Sequence, residues 1–214
     1  MIEPPRSRLK ARVTIASLCV AAIAFAATAA TPGHSAEPRQ AGDLTGQLLV
    51  ATPEMLDPRF VHTVIYMIRH DSSGAQGVVV NRPLREIPLA VLLEQMGMES
   101  KGVQETLRLH AGGPVDTLRI LVLHTAGYAS ESTLAVKGGI AVTWEPDILR
   151  AIAQGKGPRR ALFVIGYAGW APGQLEAEMK TGAWVRASAD EALVFDGNYE
   201  TKWDRAMARR KIDL

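Results

Sequence analysis

The sequence predicts an α/β fold of the α+β kind, a single domain on a mixed β-sheet, set behind an N-terminal leader. Short runs rich in β-branched and aromatic residues recur along the chain and come in clusters. Segments with apolar residues at helical spacing fall between the clusters without strict alternation, which disfavours a regular doubly wound sheet. No repeat or low-complexity tract interrupts the pattern from Leu44 onward.

The leader comes first. Arg6, Arg8, Lys10 and Arg12 precede "VTIASLCVAAIAFAATAA" (13–30), a run without charge. Small residues follow, with candidate cleavage points after Ala29, Ala30 and Ala36. A basic start, an apolar middle and small residues at the cut describe a secretory signal peptide. The chain therefore divides into a signal peptide (1–36), a polar linker rich in Pro and Gly that ends over 37–43, and a domain (44–214). The expected location is exported, periplasmic. An uncleaved N-terminal anchor is the alternative, because the apolar run borders on the roughly 20 residues that span a bilayer. Cys19 is a poor lipidation site, since bulky Leu18 stands where a small residue is needed.

Removing residues 1–36 changes the charge. The leader holds four of the 24 basic residues and one of the 22 acidic ones, leaving 20 and 21, a formal net of −1. Nucleic-acid binding usually shows as a basic domain or face, and that global signal leaves with the leader. So does Cys19, the only cysteine. The mature chain has no disulfide, no thiol nucleophile and no Cys ligand for a metal. Its 178 residues suffice to bury a core without covalent staples.

The elements of the domain follow in order. "GQLLVA" (46–51) and "VHTVIYMIR" (61–69) read as strands, and "HDSSGAQG" as a loop leading to a third, "GVVVN" (77–81). "PLAVLLEQM" (88–96) opens on a proline suited to a first helical turn and continues with leucines at helical spacing. "LRLH" (107–110) and "RILVLHT" (119–125) read as strands joined by the turn "AGGPVD". "IAVT" (140–143) is a strand, and "EPDILRAIAQG" (145–155) a helix with Pro146 early and Gly155 at its end. "ALFVIG" (161–166) is a buried strand and "PGQLEAEMK" (172–180) a helix. "SADE" (188–191) fits a capping box, and "YETKWDRAMARRK" (199–211) reads as the last helix. That helix carries Tyr199, Trp203 and Met207 on one stripe and its basic residues elsewhere.

"GYAGWAPGQLEAEM" (166–179) joins a strand to a helix through three glycines, a layout that can present backbone N–H groups to an anion. The spacing matches neither G-x-G-x-x-G nor a P-loop, and Pro172 removes one N–H. Tyr167 and Trp170 read as anchors that pack the turn. Leu175 and Met179 give the helix an inward face, with Glu176 and Lys180 free to pair outside. "AGGPV" (111–115) carries the same ambiguity between exposed amides and a hairpin turn. The sequence names no cofactor and no metal.

The four histidines of the mature chain are His62, His70, His110 and His124, and no two have metal-site spacing. His70, beside Asp71 and near Ser72 and Ser73, invites a triad, but no G-x-S-x-G elbow accompanies it. His110 and His124 end strands flanking the GGP turn, which makes them the best candidate for a titratable pair in space. Asn81, in "NRP", is expected to satisfy turn backbone, with a polar site contact as the minority role. The candidate ligand-binding set is Asn81, His110, Gly112, Gly113, His124, Tyr167, Trp170 and Gln174; no catalytic residue is assigned.

Taken together and in this order, "GQLLVATPEMLDPRFVHTVIYMIRHDSSGAQGVVVNRPL", "AGGPV", "LHT", "GPRRALFVIGYAGWAPGQLEAEM", "AW", "LVFD" and Trp203 resemble the YqgE/AlgH family of bacterial proteins over residues 44–207. Ala171, where the family usually has glycine, and "TGAW" are small departures. The resemblance implies a bifurcated mixed sheet with a small barrel-like portion and surrounding helices. It implies a reputation as a regulator of exopolysaccharide (alginate) transcription, without an established activity or active site. A leader departs from the family's cytosolic look. A misassigned start would restore it, although the next methionine, Met55, lies inside the first matching block.

The expected function is a non-enzymatic binding or regulatory domain, exported, acting on an unknown small ligand or protein partner through its Gly-rich turns. The alternative is a cytosolic transcriptional regulator, although no nucleic-acid-binding motif is present. A hydrolase using His110 or His124 comes third.

Overall fold

Leu48–Ala51 (β1) is buried at all four positions because both its edges and both its faces are covered. The computed structural model that shows this describes residues 42–144 and 146–211. The segment expected to be a signal peptide (1–36) and nearly all of the expected linker lie outside the described residues. The end of the linker belongs to the folded body: Asp43 pairs with Lys137 at 2.6 Å, and the Gly42 carbonyl meets His70 Nδ1 at 2.9 Å. Among the described residues no helix is long and apolar enough to cross a membrane.

β1 pairs antiparallel with β2 (Val64–Asp71), which pairs with β3 (Gly74–Val79). The loop expected at "HDSSGAQG" is a tight hairpin, with both strands running to its tip at Ser72 and Ser73. Three strands escaped the sequence. β4 (Pro83–Pro88) is bracketed by prolines, which lack a ladder donor and sit best at a sheet edge. β7 (Thr133–Ala135) is very short, and β10 (Trp184–Ala187) pairs with β1 far away in the chain. The remaining strands are β5 (Thr106–Ala111), β6 (Val115–Thr125), β8 (Ile140–Thr143) and β9 (Ala161–Trp170). The sheet runs β10-β1-β2-β3-β9-β6-β8-β7, with β5 and β4 branching from β9. Only β5–β9 is parallel among the described pairs. One edge of β9 thus serves β5 at Phe163–Ile165 and β3 at Ala168–Trp170, which is the bifurcation.

Period-2 alternation sends side chains to two faces. Inside the curl, Val50, Tyr66, Val78, Leu121, Leu123 and Val164 form one core with helices α4 (Glu191–Val194) and α5 (Lys202–Ala208). On the other face two clusters form. Leu49, Ile65 and Trp170 pack under helix α3 (Gln174–Lys180). Val122 and Phe163 pack under α1 (Leu89–Gln95) and α2 (Asp147–Ala153). The α+β class and the curled, branched sheet are as expected.

Several local expectations change. The cap of α4 is Asp190, accepting from Leu193 N at 2.7 Å, rather than Ser188. The last helix is α5 alone, and Tyr199 precedes it. Glu176 does not pair with Lys180; it reaches His70 Nε2 at 3.0 Å.

"AGGPV" is no hairpin. β5 ascends one edge of β9, crosses its backbone, and returns as β6 on the opposite edge. A β-carbon on Gly112 would lie 2.2 Å from Gly166 O, and one on Gly113 2.1 Å from Tyr167 C. Only glycine permits this approach of backbone to backbone.

Candidate functional site

The crossing lifts Pro114 and Val115 to one wall of a cleft of about 580 Å3. The opposite wall grows from the end of β9. After Trp170 the chain turns through Gly173, at φ 75°, into α3. Gln174 secures the turn, its Oε1 accepting from Ala171 N at 3.0 Å. One helical turn later Glu178 lies on the same face, and Gln174 Nε2 donates to its Oε1 at 2.9 Å. Glu178 Oε2 accepts from the indoles of both Trp170 (2.9 Å) and Trp184 (2.8 Å). One carboxylate therefore ties the end of β9, α3 and β10 together. Trp184 packs edge-on against Trp170 at 6.0 Å and against Phe60 at 5.5 Å between centroids.

Phe60 and Arg59 come from the long connection between β1 and β2, which "NRP" holds. Asn81 donates to His62 O at 2.9 Å and accepts from Val64 N at 3.0 Å. Arg82 donates to Val61 O, Thr63 Oγ1 and Arg59 O. Arg59 grips Asp57 with Nε and Nη2, holding that carboxyl below its ordinary range. Its guanidinium lies 5.7 Å from the Phe60 centroid. A pocket of about 200 Å3 continues the cleft past Arg59, Phe60 and Pro114 to Arg82 and Gly113. A separate cleft of about 390 Å3 lies past Val115, among Gln76, Asp116, Arg119, Trp144 and Tyr167.

The AlgH-like family model (DUF179) matches residues 48–214. The chain belongs to the AlgH-like family. UPF0301 proteins of Afipia carboxidovorans and Rhodospirillum rubrum are each 46% identical to it. The first match covers 80% of this chain and 85% of the relative, the second 80% and 90%. Among solved structures, the AlgH protein of Pseudomonas aeruginosa is 40% identical, with a TM-score of 0.64 over 77% of this chain and 87% of that one. Protein DIP2367 of Corynebacterium diphtheriae, at 24% identity and a TM-score of 0.60 over 78% and 87%, shares the fold.

In this AlgH-like domain the sequence candidates separate. Trp170 and Gln174 line the large cleft, and Gly113 lines its extension. Gly112 lies at the crossing that shapes both. Tyr167 lines the separate cleft. Asn81 stands behind the Phe60 segment, its amide engaged by main chain.

His110 and His124 are not a pair. They flank β9 on opposite edges, opposite Val164 and Ala161. Directly paired residues share a sheet face, so His110 faces the inner core with Val164, and His124 the outer cluster with Ala161. His110 Nδ1 meets Phe163 O at 3.2 Å, and its ring lies 5.1 Å from Tyr199. Burial pushes its pKa down to about 4. His124 meets Thr125 O and Thr143 Oγ1, both at 2.9 Å, and burial lowers its pKa too. His70 is held by Glu176 and Gly42 while Asp71 accepts from Ser73, so no triad forms. Among the described residues no group of three or more His, Cys, Asp or Glu is placed to hold a metal.

Sequence reasoning missed Phe60, Trp184, Glu178 and Lys202. The four-residue step from Gln174 to Glu178 was the available signal for Glu178. Lys202 lies in the basic last helix, yet its side chain is fully buried, and Nζ donates to Val80 O and Val194 O at 3.0 Å each. Burial brings its pKa down to about 8.

Proposed function

We propose that this AlgH-like domain is an exported, non-enzymatic binding domain whose ligand enters the cleft between Phe60, Pro114 and the Trp170–Glu178 joint. The observation that carries this is convergence. The two glycine-rich stretches, distant in sequence, meet across one opening, with "NRP" bracing the third side. Walls that combine aromatic and aliphatic side chains with fixed polar groups suit a ligand site, and the volume lies within the roughly 300–1,000 Å3 typical of such sites. Support for a binding rather than a catalytic role comes from the histidines: His70 and His124 are held by structural partners at both ring nitrogens, His110 at Nδ1 alone with its buried Nε2 unpartnered, and none lines the cleft. Export is supported by the basic-then-apolar leader.

A thermal-shift screen of the mature chain against nucleotides, anions, sugars and amines tests the binding role, because a ligand raises the melting temperature by mass action. At least one class should shift it, and Phe60→Ala should abolish that shift. A ligand that stabilises Phe60→Ala as strongly as the wild type would remove the cleft from consideration. Sequence-selective retardation of DNA persisting at about 0.2 M salt would replace this function with direct transcriptional control. N-terminal sequencing tests export: a cytosolic chain starting at Met1 defeats it.

A further inference from the structure

We propose that the cleft takes an organic cation, an ammonium or guanidinium group on an apolar stem. That chemistry belongs to a free amine and to a lysine or arginine side chain. The proposal rests on the cleft being the ligand site and adds the charge of what enters.

Glu178 is the deciding residue. Its three donors, two indole N–H groups and the Gln174 amide, are neutral. They orient the carboxylate without cancelling its charge. A carboxylate offers about four lone-pair sites, so one remains for a ligand. None of the ion pairs between described residues includes Glu178, although it is half-buried. Because its donors are all neutral, the carboxylate on the cleft wall is left for a cation to pair with.

The surroundings point the same way. Phe60, Trp184 and Trp170 form a chain of edge-to-face rings beside the carboxylate, and ring faces attract cations. Arg59 already occupies one such contact over Phe60. Its charge is matched by Asp57 and does not reach Glu178 as an ion pair. Glu54 adds a second unmatched carboxylate at the rim. Three acids against Arg59, with Arg82 in the extension, still leave the opening net negative, which repels anions. Leu56, 94% exposed at the rim, offers apolar surface to the stem.

The test is a charge series on one stem: phenethylammonium, 2-phenylethanol and phenylacetate, followed through the indole N–H resonances of Trp170 and Trp184 in the 15N-labelled mature chain. Phenethylammonium should move both resonances and bind at least about tenfold more tightly than the alcohol. Phenylacetate should leave them in place. Glu178→Gln keeps an acceptor for the indoles and should bring the ammonium down to the alcohol's affinity. Glu54→Gln, at the exposed rim, should weaken it about two- to threefold. Equal affinity for alcohol and ammonium, or tighter phenylacetate, overturns the inferred charge while leaving the cleft as the site. If a stabilising ligand from the thermal screen moves resonances elsewhere and leaves these indoles unchanged, the site itself is overturned. An acetylated, amidated Ala-Lys-Ala peptide separates the two sources: tighter binding than phenethylammonium indicates a basic segment of a protein, weaker binding a free amine.

Discussion

A β-carbon on Gly112 would lie 2.2 Å from the carbonyl oxygen of Gly166, so these two residues let β5 pass directly over β9. Backbone on both sides cannot retreat as a flexible side chain would. Gly112→Ala should therefore destabilise the domain by at least about 3 kcal/mol. Gly197→Ala, where nothing lies within 4 Å of the new carbon, should stay within about 0.5 kcal/mol of wild type. Urea melts of the two variants decide it, and a wild-type midpoint for Gly112→Ala would refute the crossing.

Glu178→Ala removes the acceptor of two largely buried indoles, Trp170 and Trp184. Leaving such donors unpaired costs roughly 1–3 kcal/mol each. We expect a loss of about 3 kcal/mol, with Glu178→Gln losing less than about half of that. Equal losses in the two variants would show that packing, not hydrogen bonding, holds this joint.

His110 gives the domain an acid limit. Burial holds its pKa at about 4, with the charges of Lys202 and Arg108 adding to the depression, against an ordinary 6.5. Between those values the unfolded chain binds the extra proton, so folding stability rises with pH. The contribution is complete above about pH 6.5 and is lost as pH falls through 4, about 3 kcal/mol in all. His110→Gln should flatten this part of the stability profile. Parallel profiles for the two proteins would assign the acid limit to other groups.

Lys202 acts at the alkaline end. Its pKa is depressed to about 8 from 10.5, chiefly by burial, so below pH 8 the fold carries a penalised charge in full. Between about pH 8 and 10.5 the unfolded chain holds the extra proton and stability rises. The wild type should gain about 3 kcal/mol on Lys202→Met across that window. A pH-independent difference between the two proteins would contradict a buried charged amine.

Much of the fold was legible because local patterns and burial agree. The apolar runs of β1, β2 and β9 face core on both sides, so their sequences read as continuous hydrophobic strands. The misses were cases where only a distant partner defines the element. β10 is a strand because β1 lies beside it, and β4 because β5 does. Glycines that serve a turn and glycines that serve a crossing look alike in sequence, so "AGGPV" reads locally as a turn, whether it exposes amides or closes a hairpin.

The candidate site was legible in pieces. Trp170 and Gln174 were named, but nothing local joins them to Phe60 or Trp184, which reach the cleft from other strands. The apparent closeness of His110 and His124 dissolved when β9 came to lie between them.

By itself the sequence determined the basic-then-apolar N-terminal pattern, the near-neutral charge of residues 37–214, the α+β class and the family, because composition, periodicity and motif are local properties of the chain. Tertiary structure decided which residues share a space: three glycines at one crossing, two indoles on Glu178, a lysine inside the core. Those pairings follow from long-range strand register, which a pattern read along the chain does not contain.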